Sequence, residues 1–103
     1  MGFWNLKTLI LEEFRPGILS KVESGTNMTM AFMEIASHQE GMAHDHPFDQ
    51  CGIVIEGEIE MSVDGEKKWL RPMETYVILA GTKHNWRTLT SPAKILDVVV
   101  KQG

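Results

Sequence analysis

The stretch GIVIEGEIEMSVDGEKKWL, Gly52 to Leu70, constrains the architecture more tightly than any other. Apolar and polar residues alternate on both sides of Asp64-Gly65. Asp-Gly between two alternating runs is the strongest short hairpin signal, because the tight turn needs positive φ at both central positions. The rest of the chain from Ile18 onward follows the same grammar. ILSKVES ends at Gly25, and NMTMAFMEI then places Met28, Met30 and Phe32 on one face by its period of two. TYVIL follows the turn opened by Pro72, HNWRTL follows Ala80-Gly81-Thr82-Lys83, and KILDVVVK follows Ser91-Pro92. Near the N-terminus, TLILEEF (Thr8–Phe14) reads as one or two helical turns or as an edge strand, ended by Arg15-Pro16-Gly17. Strands about 8–12 residues apart, punctuated by Gly and Pro, predict an all-β sandwich or barrel.

The chain has 103 residues and no repeat or linker, which predicts a single domain over 1–103. A chain this short buries only about two-thirds of its unfolded surface. A homodimer joined through a strand or sheet face is therefore expected. The net charge is −4, with both signs mixed along the sequence, which argues against a basic nucleic-acid-binding face. The single cysteine, Cys51, excludes an internal disulfide and suits a reducing cytoplasm. MGFWNLKTLILEEF lacks the basic start of a secretion signal, and no apolar run approaches the ~20 residues of a membrane span. The expected protein is cytoplasmic, with no membrane partner.

GMAHDHPFDQ carries the chemistry. Along an extended strand His44, His46 and Gln50 share a face. His84 opens a later strand just past a glycine turn. Three neutral nitrogens and an amide oxygen suit one divalent transition metal: Zn, Ni, Fe, Mn or Cu. A neutral Gln leaves such an ion its full charge. Replacement of Gln50 by Glu is expected to keep the metal but weaken its Lewis acidity. The alternative is that these histidines are surface or hydrogen-bonded side chains, and the residues alone leave both readings open. In ILDVVVK the set Leu96, Val98, Val100 is wholly apolar and is expected to be the packed face. Asp97 then faces either solvent or a barrel interior, and in the second case it is a candidate general acid/base. Trp86 shares a face with His84 and either walls a pocket or fills core. Tyr76, Met30, Phe32 and Met61 are further candidates for the lining of a Met-rich, apolar, small-molecule pocket. His38 is expected to be exposed. Cys51 should point away from Gln50, into packing between sheets or subunits, and Trp4 and Trp69 should sit at strand ends or a dimer seam.

GMAHDHPFDQCGIVIEG resembles the first motif of the cupin superfamily: glycine, H-x-H, an acidic or amide residue, then a glycine, here Gly57. METYVILAGTKHNW resembles the second, with Gly81 and His84 in place, but Met73 stands where glycine is usual and Leu79 where proline is usual. The resemblance implies a small antiparallel jelly-roll-like barrel and a metal held by His44, His46, Gln50 and His84. FRPGILSKVESGTNMTM, the H-x-H-P…Q form of the ligands and KILDVVV extend the likeness to small cupins of pectin and alginate breakdown. Members of that group are associated with linearising 4,5-unsaturated uronates. For that group the resemblance implies an acid in the last strand, here Asp97, then an aromatic two residues on and an arginine four beyond that. Val99 and Gly103 occupy those two places, and Arg71 and Arg87 are the candidates to replace the arginine. Three functions follow: a non-redox isomerase or tautomerase acting on a small sugar acid or keto acid, an Fe-dependent dioxygenase, or a non-catalytic metabolite-binding barrel.

Overall fold

The structure, a computed structural model, describes residues 2–101. Gly103, the arginine position of the resemblance, lies outside them. Among the described residues nine strands follow in order: β1 (Glu12–Arg15), β2 (Ile18–Ser24), β3 (Met28–Ile35), β4 (Asp49–Gly57), β5 (Ile59–Val63), β6 (Glu66–Leu70), β7 (Thr75–Ile78), β8 (His84–Arg87) and β9 (Ala93–Val100). They form a six-stranded sheet, β1-β2-β3-β9-β4-β7, facing a three-stranded sheet, β6-β5-β8. Every pairing is antiparallel. This is the all-β architecture that the strand spacing predicts, in the jelly-roll-like form that the resemblance implies. Among the described residues no helix is long and apolar enough to cross a membrane.

The β5–β6 hairpin turns at Asp64 (φ 51°) and Gly65 (φ 83°), the two positive angles its sequence asks for. The alternating run before it is two strands rather than one. At Gly57 (φ 76°) the chain leaves the larger sheet, and after Glu58 it enters the smaller one as β5. Of Thr8–Phe14 only the end from Glu12 is strand, and it forms the edge strand β1 with a bulge near Arg15.

The core comprises Ile18, Ile35, Val54, Ile59, Met61, Leu70, Tyr76, Ile78, Ala93 and Ile95. Register explains the choice of side chains. Met33 pairs with Ile95, which pairs with Val54, and Ala31 pairs with Asp97, which pairs with Gly52. Cross-strand partners share a face, so Ile95 and Asp97 point inward. Two expectations are corrected by this. Leu96, Val98 and Val100, expected to be the packed face, lie on the outer face of β9, half-buried at Leu96 and Val98 and exposed at Val100. Met30 and Phe32 pair with Val98 and Leu96 and also face outward, although Phe32 is only 2% exposed. Both faces of β3 and β9 are rich in apolar residues, so alternation alone could not say which face closes the barrel.

Met73, at the expected glycine position, has φ 74° and its amide donates to the Val54 carbonyl at 2.9 Å. A side chain in that region costs about 1–2 kcal/mol, while glycine adds unfolded-state freedom worth about 0.4–1 kcal/mol. Met73→Gly is therefore expected to stabilise the protein by about 0.5–1 kcal/mol, read as a thermal midpoint a few degrees higher. A lower midpoint would show that the exposed methionine makes contacts that outweigh its strain.

Candidate metal centre

Two segments bring the histidines together. The chain around His44 lies beside β8, with the His44 amide donating to the His84 carbonyl at 3.0 Å and the reverse bond at 2.9 Å. His44 and His84 are thus direct cross-strand neighbours. Two residues along, the Gly41 amide donates to the Trp86 carbonyl at 2.9 Å, and a Cβ on Gly41 would run into the Trp86 indole. His46 follows in the connection to β4, anchored where the Gly81 amide donates to its carbonyl at 2.8 Å, and its ring stacks on Phe48. Gln50 projects inward from β4, in register with Ile78 and Val99. Residues 44–50 are not one extended strand. The same-face expectation for His44, His46 and Gln50 reached the right convergence through the wrong local geometry.

The ligand-capable nitrogens of His44, His46 and His84 lie within 4.8 Å of one another. Each ring is fixed in the same way. Nδ1 of His44 meets the Met42 carbonyl at 2.9 Å, Nδ1 of His46 the Phe48 carbonyl at 3.0 Å, and Nδ1 of His84 the Thr82 carbonyl at 2.9 Å. A carbonyl only accepts, so each Nδ1 carries a proton, and a ring that is neutral keeps its lone pair on Nε2. This backbone anchoring is what orients metal-bound histidines. His84 Nε2 is buried and meets no hydrogen-bond partner among the described residues, at a cost of about 1–3 kcal/mol. Burial holds the His84 pKa below the usual histidine value, which keeps the ring neutral.

Gln50 completes the set. Its Nε2 donates to both oxygens of Asp97, at 2.9 and 3.0 Å, and its Oε1 lies 2.8 Å from His46 Nε2. With Nδ1 of His46 already donating, a neutral ring sets its Nε2 lone pair against Gln50 Oε1, a contact that a shared cation or a second ring proton relieves. The orphaned nitrogen and the opposed acceptors are what a divalent ion would satisfy, so the residues fit one. Tyr76 donates a short hydrogen bond to Asp97 Oδ1. Asp97 is 8% exposed, and burial lifts its pKa above the usual carboxylate value although both of these hydrogen bonds oppose the shift. Burial followed by the Asp97 charge pushes the Tyr76 pKa up, so the phenol stays protonated.

His44, His84, Gln50, Tyr76 and Asp97 border a chamber of about 190 Å³, walled further by Met33, Ile35, Met61, Ile78, Trp86 and Ile95. Trp86 and Tyr76 line it, whereas Met30 and Phe32 do not. Met33 and Ile35 take their place, from the opposite face of β3. A larger groove of about 610 Å³ beside Ile18, Ile35, Pro92 and Ala93 carries no histidine. Arg71 pairs with Glu58 at 3.5 Å, and Arg87 pairs with Glu60 at 2.5 Å and lies over Trp69. Neither arginine lines the chamber. His38 is exposed, and Cys51 is an exposed free thiol on the outer face of β4 rather than in packing between the sheets. The signal for Tyr76 and Asp97 meeting was Gly52, a mid-strand glycine, which marks a close approach.

The family model described as the cupin domain matches residues 31–99. The chain is a cupin. KdgF from Halomonas sp. superposes with a TM-score of 0.87 at 24% identity, covering 100% of this cupin and 96% of that chain. An RmlC-like cupin from Shewanella frigidimarina gives 0.87 at 19% identity, over 99% and 92% of the two chains. A cupin 2 conserved barrel domain protein from Leptotrichia buccalis gives 0.80 at 26% identity, covering 96% of this chain and 47% of the other. Comparison with curated proteins finds no match. The likeness to KdgF and the RmlC-like cupin is one of fold, and this cupin's chemistry has to be argued from its own side chains.

Proposed function

We propose that this cupin binds one divalent transition metal through His44, His46, His84 and Gln50, and catalyses non-redox isomerisation or tautomerisation of a small sugar acid or keto acid. The observation that carries the reading is the shared anchoring of the three Nδ1 atoms, which leaves three Nε2 lone pairs converging beside Gln50 Oε1. When bound, the ion supplies Lewis-acid polarisation of a carbonyl or hydroxyl oxygen. Asp97 moves the proton. Its Oδ1 accepts from Gln50 and Tyr76 and its Oδ2 from Gln50 alone, which leaves a lone pair on Oδ2. Its raised pKa brings it closer to working pH as a proton acceptor and donor. The apolar walls exclude water, and exposed His44 marks the side open to solvent. The likeness to uronate-linearising cupins supports the substrate class. No arginine or lysine lines the chamber among the described residues, so an anionic substrate meets positive charge only at the histidine end.

Elemental analysis of untagged protein tests the metal, with wild type beside His44→Ala. About one transition metal per chain, lost in the variant, is expected. Proton–deuterium exchange at the carbon next to the carbonyl, followed by NMR across a panel of uronates and keto acids, tests the chemistry. Exchange should appear in the wild type and fall at least about 100-fold in Asp97→Asn, in line with general acid/base contributions of about 10²–10⁴. Metal in both proteins would refute the ligand assignment. Oxygen uptake with bound iron would favour the dioxygenase instead, and metal binding without exchange would favour a metabolite-binding barrel. A homodimer belongs to the same proposal, supported by exposed Met28, Val77, Leu79 and Val100, and sedimentation at micromolar concentration checks it.

A further inference from the structure

We infer that Asp97, held by Tyr76 across Gly52, sets the orientation of the Gln50 amide, and that this pairing makes a neutral amide the side chain the site demands at position 50. The inference rests on the metal reading above. An amide has two ends of nearly equal size, and only hydrogen bonding decides which one faces the histidines. Here the NH₂ end reaches both Asp97 oxygens, at 2.9 and 3.0 Å, so Oε1 is turned toward His46 Nε2. The flipped amide would set Oε1 against the acceptor oxygens of Asp97, and the NH₂ end against the lone pairs meant for a cation.

Asp97 is itself fixed. In the sheet Gly52 lies directly opposite both Tyr76 and Asp97, on neighbouring strands. A Cβ on Gly52 would overlap the Tyr76 hydroxyl, so the missing side chain gives the phenol its path to Asp97 Oδ1. Asp97 thus acts on the metal as a positioning residue, through Gln50. The pairing also reverses an expectation drawn from ligand chemistry alone. Glu at position 50 looks like a conservative donor, yet it would set a second carboxylate about 3 Å from Asp97 in a closed chamber, where like charges repel strongly. Asn at position 97 would restore a donor for that carboxylate.

Four untagged proteins test this: wild type, Gln50→Glu, Asp97→Asn and the double variant. Zinc affinity is measured by competition with a chromophoric chelator, and thermal midpoints are measured on the metal-free proteins. Loss of an orienting partner typically costs about 10–100-fold in metal affinity. Each single variant should therefore bind zinc at least about tenfold more weakly than wild type. The double variant should bind at least about tenfold more tightly than Gln50→Glu, and its metal-free midpoint should also rise above that of Gln50→Glu. Wild-type affinity in Gln50→Glu, or a double variant no better than that single, overturns the inference. If the wild type binds no zinc the metal reading fails, and the four metal-free midpoints still decide the pairing: no recovery in the double variant refutes it.

Discussion

Gly57→Ala should unfold this cupin more readily by about 2–5 kcal/mol, a large share of the roughly 5–15 kcal/mol that holds a domain folded. Two costs add. Gly57 has φ 76°, where an alanine pays about 1–2 kcal/mol. A Cβ there would also collide with the Pro92 carbonyl, and Gly57 pairs with Ala93, the first residue of β9. The obstacle is backbone inside a sheet, so relieving it shifts the strand that carries Asp97, and overpacking of this kind costs about 1–3 kcal/mol. Gly65 provides the control. Its φ is 83°, but a Cβ there meets nothing within 4 Å. Gly65→Ala should therefore cost only the conformational part, about 1 kcal/mol. Urea titration of the two variants measures the difference, and equal losses would show that the close approach at Pro92 contributes nothing.

The contrast between these two glycines also shows what the sequence made legible. Asp64-Gly65 announces its turn locally, because both φ values follow from the hairpin alone. Gly57 sits in a run that alternates without a break from Ile53 to Val63, so the crossing between sheets there is set by β9, some 35 residues later. The three histidines and Gln50 were readable as candidates by spacing and resemblance, but their meeting depends on the pairing of His44 with His84, which no single-strand argument contains. The same holds for Asp97. Its neighbours Leu96 and Val98 look like the better core, and only the partners Gly52, Gln50 and Tyr76 on other strands make the interior its place. Met30 and Phe32 failed for the mirror-image reason: β3 is apolar on both faces, so its parity carries no information about the chamber.

Chelation of the metal should lower the thermal midpoint of the wild type by about 10–20 °C, and should do nothing to His84→Ala. A ligand held at about 100 times its dissociation constant stabilises the folded state by about 2.7 kcal/mol. In a domain of this size each 1 kcal/mol shifts the midpoint by about 4–8 °C. His84 is the decisive position because its ring is 4% exposed and its Nε2 meets no partner among the described residues. Without an ion that buried lone pair is a standing cost; with one, the cost is relieved and the ion's binding energy becomes folding energy. Removing the imidazole removes both halves of the linkage, so chelator and added zinc should leave the His84→Ala midpoint unmoved. His84→Ala also leaves a cavity in the core and lowers the starting midpoint. The exposed His44, a proposed ligand, therefore supplies the second test, since truncating it disturbs little packing. His44→Ala should begin near the wild-type metal-free midpoint and show a much smaller chelator response. An equal chelator response in all three proteins would place the ion elsewhere and leave the converging nitrogens as a hydrogen-bonding feature of the barrel wall.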